Sequence, residues 1–192
     1  MSDNHLKDDN LSDEELVRRT LSDRDQFLYL VERYKGRLLS YIRRLTSANQ
    51  EDAEDILQEV FIKAYRNLNG FKPDLKFSSW IYRITHNQVI SRHRKLKARP
   101  EGYLTTLEDG AVQILAAETD IISELDIQMT REKIASALAQ LPEKYREIII
   151  LRFFEERDYQ EISDIIKKPL GTVASMLSKA KLALKKQLAL IA

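Results

Sequence analysis

Apolar residues recur along this chain in steps of three and four, separated by short polar breaks, which is the period of amphipathic helices and not of strands. Residues 1–11 are polar and are expected to be disordered. Ser12 with Glu15 matches a capping box, and Leu16 opens an apolar period, so a first helix should start at Ser12–Asp13. Phe27, Leu30, Val31, Tyr34, Leu38, Leu39 and Ile42 carry the period through a second helix to about Leu45, and residues 46–50 break it. In residues 51–68, EDAEDILQEVFIKAYRNL, a helical projection lines up Ala53, Ile56, Leu57, Val60, Ala64 and Leu68 on one stripe. Asp55, Gln58, Glu59, Ile62 and Arg66 fall opposite. The loop NGFKPDLKF follows. Residues 78–95 then read as a helix capped by Ser78, with Phe77, Trp80, Ile81, Ile84 and Gln88 on or near its buried side. Arg83, Asn87, Ile90 and Arg94 face outward, and Arg92, Lys95, Lys97 and Arg99 extend the basic end.

From Leu96 to Met129 the helical period is weak at first, and Pro100, Gly102 and Gly110 interrupt it, so this stretch reads as a linker. A linker of that length inside one compact domain would be unusual, which makes it a domain boundary. Residues 130–141 and 143–154 form two further helices broken at Pro142, burying Ile134, Leu138, Leu141, Ile148, Ile149 and Leu151. Residues 159–186, YQEISDIIKKPLGTVASMLSKAKLALKK, read as a helix, a turn and a second helix. Ile162, Ile165 and Ile166 mark the first face, and Val173, Leu177, Ala180 and Leu184 mark the second. Pro169 lacks an N–H and biases the residue before it away from the helical region, so the chain must turn there. Thr172 then lies where a hydroxyl can cap the second helix. On spacing alone two readings stay open: a DNA-binding helix-turn-helix, or a plain helical hairpin whose lysines solvate one face.

Charge sharpens this picture only when it is divided along the chain. The net charge is +1 over 192 residues, but residues 61–100 hold ten Lys or Arg against one acid, and residues 101–130 hold seven acids and no base. Segregation of this kind favours a polyanion partner for the basic blocks. There is no cysteine, which excludes disulfides and thiolate metal sites, and the three histidines sit at no ligand spacing. No apolar run is long enough for a membrane span, and no secretion signal is present.

Two local features carry candidate chemistry. Ile62 sits at the centre of an otherwise polar helix face, ringed by Asp55, Gln58 and Glu59, an arrangement that suits a protein-docking patch. A lone exposed isoleucine without function, or an acidic metal pair, is the competing reading. The loop Asn69–Phe77 interleaves aromatics with lysines, the mixture that holds single-stranded nucleic acid.

Taken in order, DAEDILQEVF, FSSWIYRITHN, a basic tail, a linker, LPEKYREIIILRFFE and YQEISDIIKKPLGTVASMLSKAKLAL closely resemble the extracytoplasmic-function (group IV) sigma factors of bacterial RNA polymerase, across roughly residues 12–190. The resemblance implies an all-α chain of two small helical domains joined by a flexible acidic linker, the C-terminal one carrying the helix-turn-helix. Residues 12–97 would be sigma domain 2, residues 98–128 the linker, and residues 129–192 sigma domain 4. It implies a non-enzymatic initiation factor that needs no cofactor or metal and works in the bacterial cytoplasm. Its partners would be core RNA polymerase, through the clamp helices of the largest subunit and the flap, promoter DNA, and an anti-sigma factor that holds it in check, in some cases at the membrane.

Residue by residue, the resemblance assigns core polymerase binding to Asp52, Asp55, Gln58, Glu59 and Ile62. It assigns contact with the −10 element to Asn69, Gly70, Phe71, Lys72, Lys76, Trp80, Arg83, Asn87, Arg92 and Arg94, where the loop would capture a flipped-out base of the non-template strand. Contact with the −35 element falls to Thr172, Ser175, Met176 and Lys179 for base edges, and to Arg152, Tyr159, Gln160 and Lys181 for phosphates. The acidic linker would thread the polymerase's basic cleft and RNA exit path as a nucleic-acid mimic. The pattern departs from the family at Ala174 and Met176, where cations are customary, at Lys167, where the turn usually has glycine, and at Ser91, where an acid is common. These put the family-typical −35 sequence in doubt. A sigma mimic that binds an anti-sigma protein without initiating, and a stand-alone helix-turn-helix regulator, are the alternatives. The first should lack the basic strand-contacting residues, and the second leaves Asp52–Glu59 unexplained.

Overall fold

Side-chain caps set where three of the helices begin. In a computed structural model that describes residues 11–46, 48–72, 74–96, 107, 109–118 and 127–191, the Ser12 hydroxyl accepts from the Glu15 N–H at 3.1 Å. The Asn49 side chain accepts from the Asp52 N–H at 2.8 Å. Asp158 and Glu161 form a complete capping box, each side chain accepting from the other's backbone N–H at 2.7 and 3.0 Å. Each such cap contributes about 1 kcal/mol. The elements are α1 (Asp13–Ser22), α2 (Phe27–Leu45), α3 (Gln50–Asn67), α4 (Phe77–Leu96), α5 (Asp109–Glu118), α6 (Ile127–Gln140), α7 (Glu143–Ile149), α8 (Tyr159–Ile166) and α9 (Leu170–Ile191). Between α7 and α8, residues Ile150–Phe154 form a π-helical turn closed by the Glu155 N–H donating to the Ile150 carbonyl at 3.0 Å.

The N-terminal half packs α1–α4 around Leu16, Leu30, Leu38, Ile42, Ile56, Val60, Phe77 and Ile81, all fully buried. The C-terminal half packs α6–α9 around Ile134, Leu138, Ile149, Leu151, Ile162, Val173, Leu177 and Leu184. The two halves also join. The buried residues form one continuous cluster, α4 lies across α8, and α2 touches α7 and the π-turn.

The helical architecture and the two-helix element near the C-terminus match the expectation, with local differences. The stretch read as a linker carries a helix, α5, whose Val112 and Leu115 are buried against α6 and the π-turn. Two apolar positions three residues apart are too weak a period to announce themselves, and packing supplies the rest. Residues 97–106, 108 and 119–126 of that stretch, and the polar N-terminus up to residue 10, lie outside the described residues. Helix α4 begins one residue before Ser78, and α9 begins two residues before Thr172, so neither side chain stands at the start of its helix.

The turn between α8 and α9 is Lys167–Pro169. Lys167 ends α8 with φ 56° and ψ 50°, left-handed backbone that favours glycine. A lysine there costs roughly 1–2 kcal/mol. The Ser163 hydroxyl, donating to the Lys168 carbonyl at 2.6 Å, helps hold the turn.

Candidate functional site

Helix α3 presents the expected outward face. Asp55, Gln58 and Ile62 are exposed, while Asp52 is half-buried. Ile62, half exposed, is no isolated residue. It shares an apolar groove of about 990 Å³ with Phe27, Leu28, Val31, Phe61 and Tyr65, between α2 and α3. Phe27 packs edge-on against Phe61 and Tyr65, with ring centroids 6.4 and 5.1 Å away. Leu28, 57% exposed, and Tyr65 were not foreseen as site residues, because neither lies on the apolar stripe of its own helix. Glu59 departs from the expectation. It is half-buried and turned toward α4, where it accepts from Gln88 and pairs with Arg92. That carboxylate beside Arg92 holds the guanidinium above its ordinary range. A residue expected to face polymerase and one expected to face DNA therefore hold α3 to α4.

The loop before α4 and α4 itself carry six Lys or Arg against one acid. Asn69, Gly70 and Lys72 are exposed, and a cavity of about 260 Å³ lies beside Asn69, lined in part by Thr20, Arg24, Tyr65 and Arg66. Phe71 and Trp80 are half-buried. Their rings, with Phe77, form an aromatic cluster with centroid distances of 5.5–5.6 Å, and Phe77 extends it to Tyr34 at 5.5 Å. Both rings are packing elements of the fold's edge. Asn87 is exposed, and the side chain of Arg94 lies outside the described residues.

Arg83 corrects the sequence reading more sharply. It does not face outward: its Nε donates to the Asp164 carbonyl of α8 at 2.6 Å, and its Nη2 is buried with no acceptor among the described residues. Burial lowers its pKa from the ordinary guanidinium value. Lys76 also reaches the C-terminal half, with its Nζ 3.2 Å from Glu161 and 3.9 Å from Asp158.

Behind this contact lies a buried polar network that sequence periodicity did not reveal. Arg44 Nη1 donates to Glu155 at 2.6 Å, and the Tyr82 hydroxyl donates to the other Glu155 oxygen at 2.6 Å. Arg157 stacks its guanidinium 4.3 Å from the Tyr82 ring centroid. The Tyr41 hydroxyl donates to Glu147 at 2.9 Å, and His86 pairs with the same carboxylate. Burial pushes the Glu155 carboxyl up, while Arg44 and Tyr82 pull it back. Charged residues in amphipathic helices read as solvated until a second domain covers them. Asp158 and Glu161, by contrast, stand at a D-x-x-E spacing that could have announced their capping box.

The C-terminal reader is more open. Thr172, Ser175 and Lys179 are exposed along the early turns of α9, and Tyr159 and Gln160 are exposed at the start of α8. Met176 is a correction: it is half-buried and packs on the core, since it lies three residues after Val173 and four before Ala180, both buried. Lys181 is half-buried. Arg152 is half-buried, placing its guanidinium 6.0 Å from the Phe153 ring centroid and Nη1 3.5 Å from the Arg157 carbonyl. Among the described residues, no group of three or more His, Asp or Glu could hold a metal, and no helix is long and apolar enough to cross a membrane.

Two segments match models of known domains: Sigma-70 region 2 over residues 30–99, and Sigma-70, region 4 over residues 131–184. The chain is 37% identical over 175 residues to the ECF RNA polymerase sigma factor SigW of Bacillus subtilis, covering 86% of this chain and 90% of that one. The chain belongs to the ECF sigma factors. To the RNA polymerase sigma-H factor of Pseudomonas aeruginosa it is 35% identical over 185 residues, covering 92% and 93% of the two chains. Two solved structures share the fold: CnrH in complex with the cytosolic domain of CnrY, at TM-score 0.69 and 23% identity over 94% of this chain and 99% of that one, and the sigma factor RpoE of Bartonella quintana in complex with the anti-sigma factor NepR, at 0.60 and 22% over 85% and 96%. As an ECF sigma factor, the chain binds core RNA polymerase and directs promoter recognition and transcription initiation.

Proposed function

We propose that three surfaces divide this work. The outer face of α3 and the groove beside it dock core polymerase. The loop Asn69–Lys76 with α4 holds the −10 strand, and the exposed early face of α9 reads the −35 duplex. The observation that carries this reading is the setting of Ile62, an apolar side chain half exposed at the mouth of a groove and flanked by exposed Asp55 and Gln58. An apolar anchor inside a polar rim is how a protein interface is built. Residues 12–97 and 129–192 act as the two functional units, and the acidic stretch between them passes through the polymerase's basic cleft. The chain carries out no chemistry of its own and works in the bacterial cytoplasm.

An anti-sigma factor controls it, in some states holding it near the membrane. Support comes from the two solved relatives in fold, one captured with the anti-sigma factor NepR and one with the cytosolic domain of CnrY. The polymerase assignment is tested by Asp55→Ala combined with Ile62→Asp. Pull-down of core polymerase should be lost, and an unchanged pull-down would overturn the docking surface.

A further inference from the structure

Part of the basic surface assigned to the −10 strand, at Lys76 and Arg83, already has a partner, and that partner is acidic. From the N-terminal half, Lys76 and Arg83 reach out of α4 and the loop before it. From the C-terminal half, Glu161, Asp158 and the Asp164 carbonyl receive them. Behind that edge, two carboxylates of the C-terminal half, Glu147 and Glu155, are gripped by Tyr41, Arg44, Tyr82 and His86 of the N-terminal half. We propose that the acidic edge of the C-terminal domain stands in for nucleic acid at Lys76 and Arg83, so that the free chain masks part of its own strand-binding surface until the domains are drawn apart. The proposal rests on the assignment of α4 to the −10 strand.

Three observations carry it. The partners match in kind, since cations that would meet phosphates meet carboxylates and a carbonyl instead. The match is incomplete, because the buried Nη2 of Arg83 finds no acceptor among the described residues. A phosphate offers the oxygens that this guanidinium lacks, so the mask is a poorer partner than the ligand it displaces. The holding contacts also sit apart from the covered surface. Arg44 and Glu155 have side chains 4% and 3% exposed, and neither is among the strand-contacting residues. Loss of one member therefore leaves an unpaired buried charge only while the domains are closed, and water satisfies it once they part. Each domain's own core is untouched.

The test uses the full chain, which contains no cysteine and so accepts labels at Glu32→Cys on α2 and Lys186→Cys on α9, both exposed. Glu155→Gln, alone and with Glu147→Gln, should lengthen the label-to-label distance. It should also raise affinity for a fluorescein-tagged single-stranded DNA of mixed sequence by about tenfold, within the usual range of coupling between sites. Tyr82→Phe deletes one hydroxyl from the same network and should move both readouts the same way by less, which covers the case in which the glutamine variants fold poorly. Unchanged distance and affinity in all these variants overturn the mask. So does a longer distance with no gain in affinity. Arg83→Ala in reconstituted holoenzyme separates this from the assignment beneath it. If run-off transcription drops while the glutamine variants change nothing, the masking alone is wrong. If transcription is unaffected, α4 is not the strand-contacting surface and both fall.

Discussion

The two reading surfaces proposed for this sigma factor differ in opposite directions. The N-terminal reader is rich in cations, yet Lys76, Arg83 and Arg92 all have partners within the chain, and its two aromatic rings are built into the fold. The C-terminal reader is thin in charge, with Ala174 and Met176 where cations are customary, yet Thr172, Ser175 and Lys179 stand exposed. Charge density and availability are separate properties. Density follows from composition, whereas availability follows from what the rest of the chain packs against it. On the proposed assignment, so lightly charged a −35 face would leave the polymerase to supply much of the affinity by holding both readers in register.

The largest effect should come from the core beneath the N-terminal reader. Phe77 is fully buried among Tyr34, Phe71 and Trp80, so Phe77→Ala should lower stability by about 3–5 kcal/mol in urea titrations. A loss below about 1 kcal/mol would mean the cluster is loosely packed and its rings are available to stack on bases.

On the open side, Lys179→Ala should weaken −35 recognition by about 1–3 kcal/mol if the lysine reads a base edge. Run-off transcription on promoters varied at single −35 positions measures this. Equal weakening on every sequence would make Lys179 a phosphate contact. A smaller effect is expected at the turn that orients α9. Lys167→Gly relieves left-handed backbone at φ 56° and should raise the melting temperature by the equivalent of about 1 kcal/mol. No gain would show that the lysine side chain offsets the strain.

Tyrosine titration gives the subtlest separation of the two halves. Burial, with Asp13, Glu147 and Glu155 as neighbours, pushes the phenols of Tyr34, Tyr41 and Tyr82 above their ordinary value of 10.0. A phenol raised in the fold favours its neutral form there. Its contribution is therefore fully present below pH 10.0 and is lost as pH climbs past that value. All three belong to the N-terminal half. Phenolate absorbance should show these three silent near pH 10 and appearing together as that half unfolds. Titration of all the tyrosines in one step would show that the half is less tightly closed than its contacts imply.

Much of this architecture is legible from spacing. The stripes on α3 and α9 name their buried residues, because a single packing face needs only one period. Ile62 was visible for the converse reason, as an apolar residue on the wrong side. What stayed hidden lies where two elements cover a third. Helix α4 is packed by α3 on one flank and α8 on another, so Tyr82 and Thr85 are buried outside any one stripe and Arg83 is turned inward. The carboxylates of Glu147 and Glu155 were equally silent, since only a distant partner makes burial of such a group tolerable. Glu59 was read as a free acid because its two partners are roughly thirty residues away along the chain.

One last consequence comes from the π-turn at Ile150–Phe154. In a regular helix, Leu151, Phe153, Phe154 and Glu155 could not all point inward, yet here all four are buried. The wider turn absorbs one surplus residue and thereby sets the phase of everything after it. Deleting a single residue from this segment would restore ordinary α-helical winding and turn the helix-turn-helix by about 100° against the rest of the chain. The segment is a gear tooth that fixes how the helix-turn-helix faces the rest of the chain.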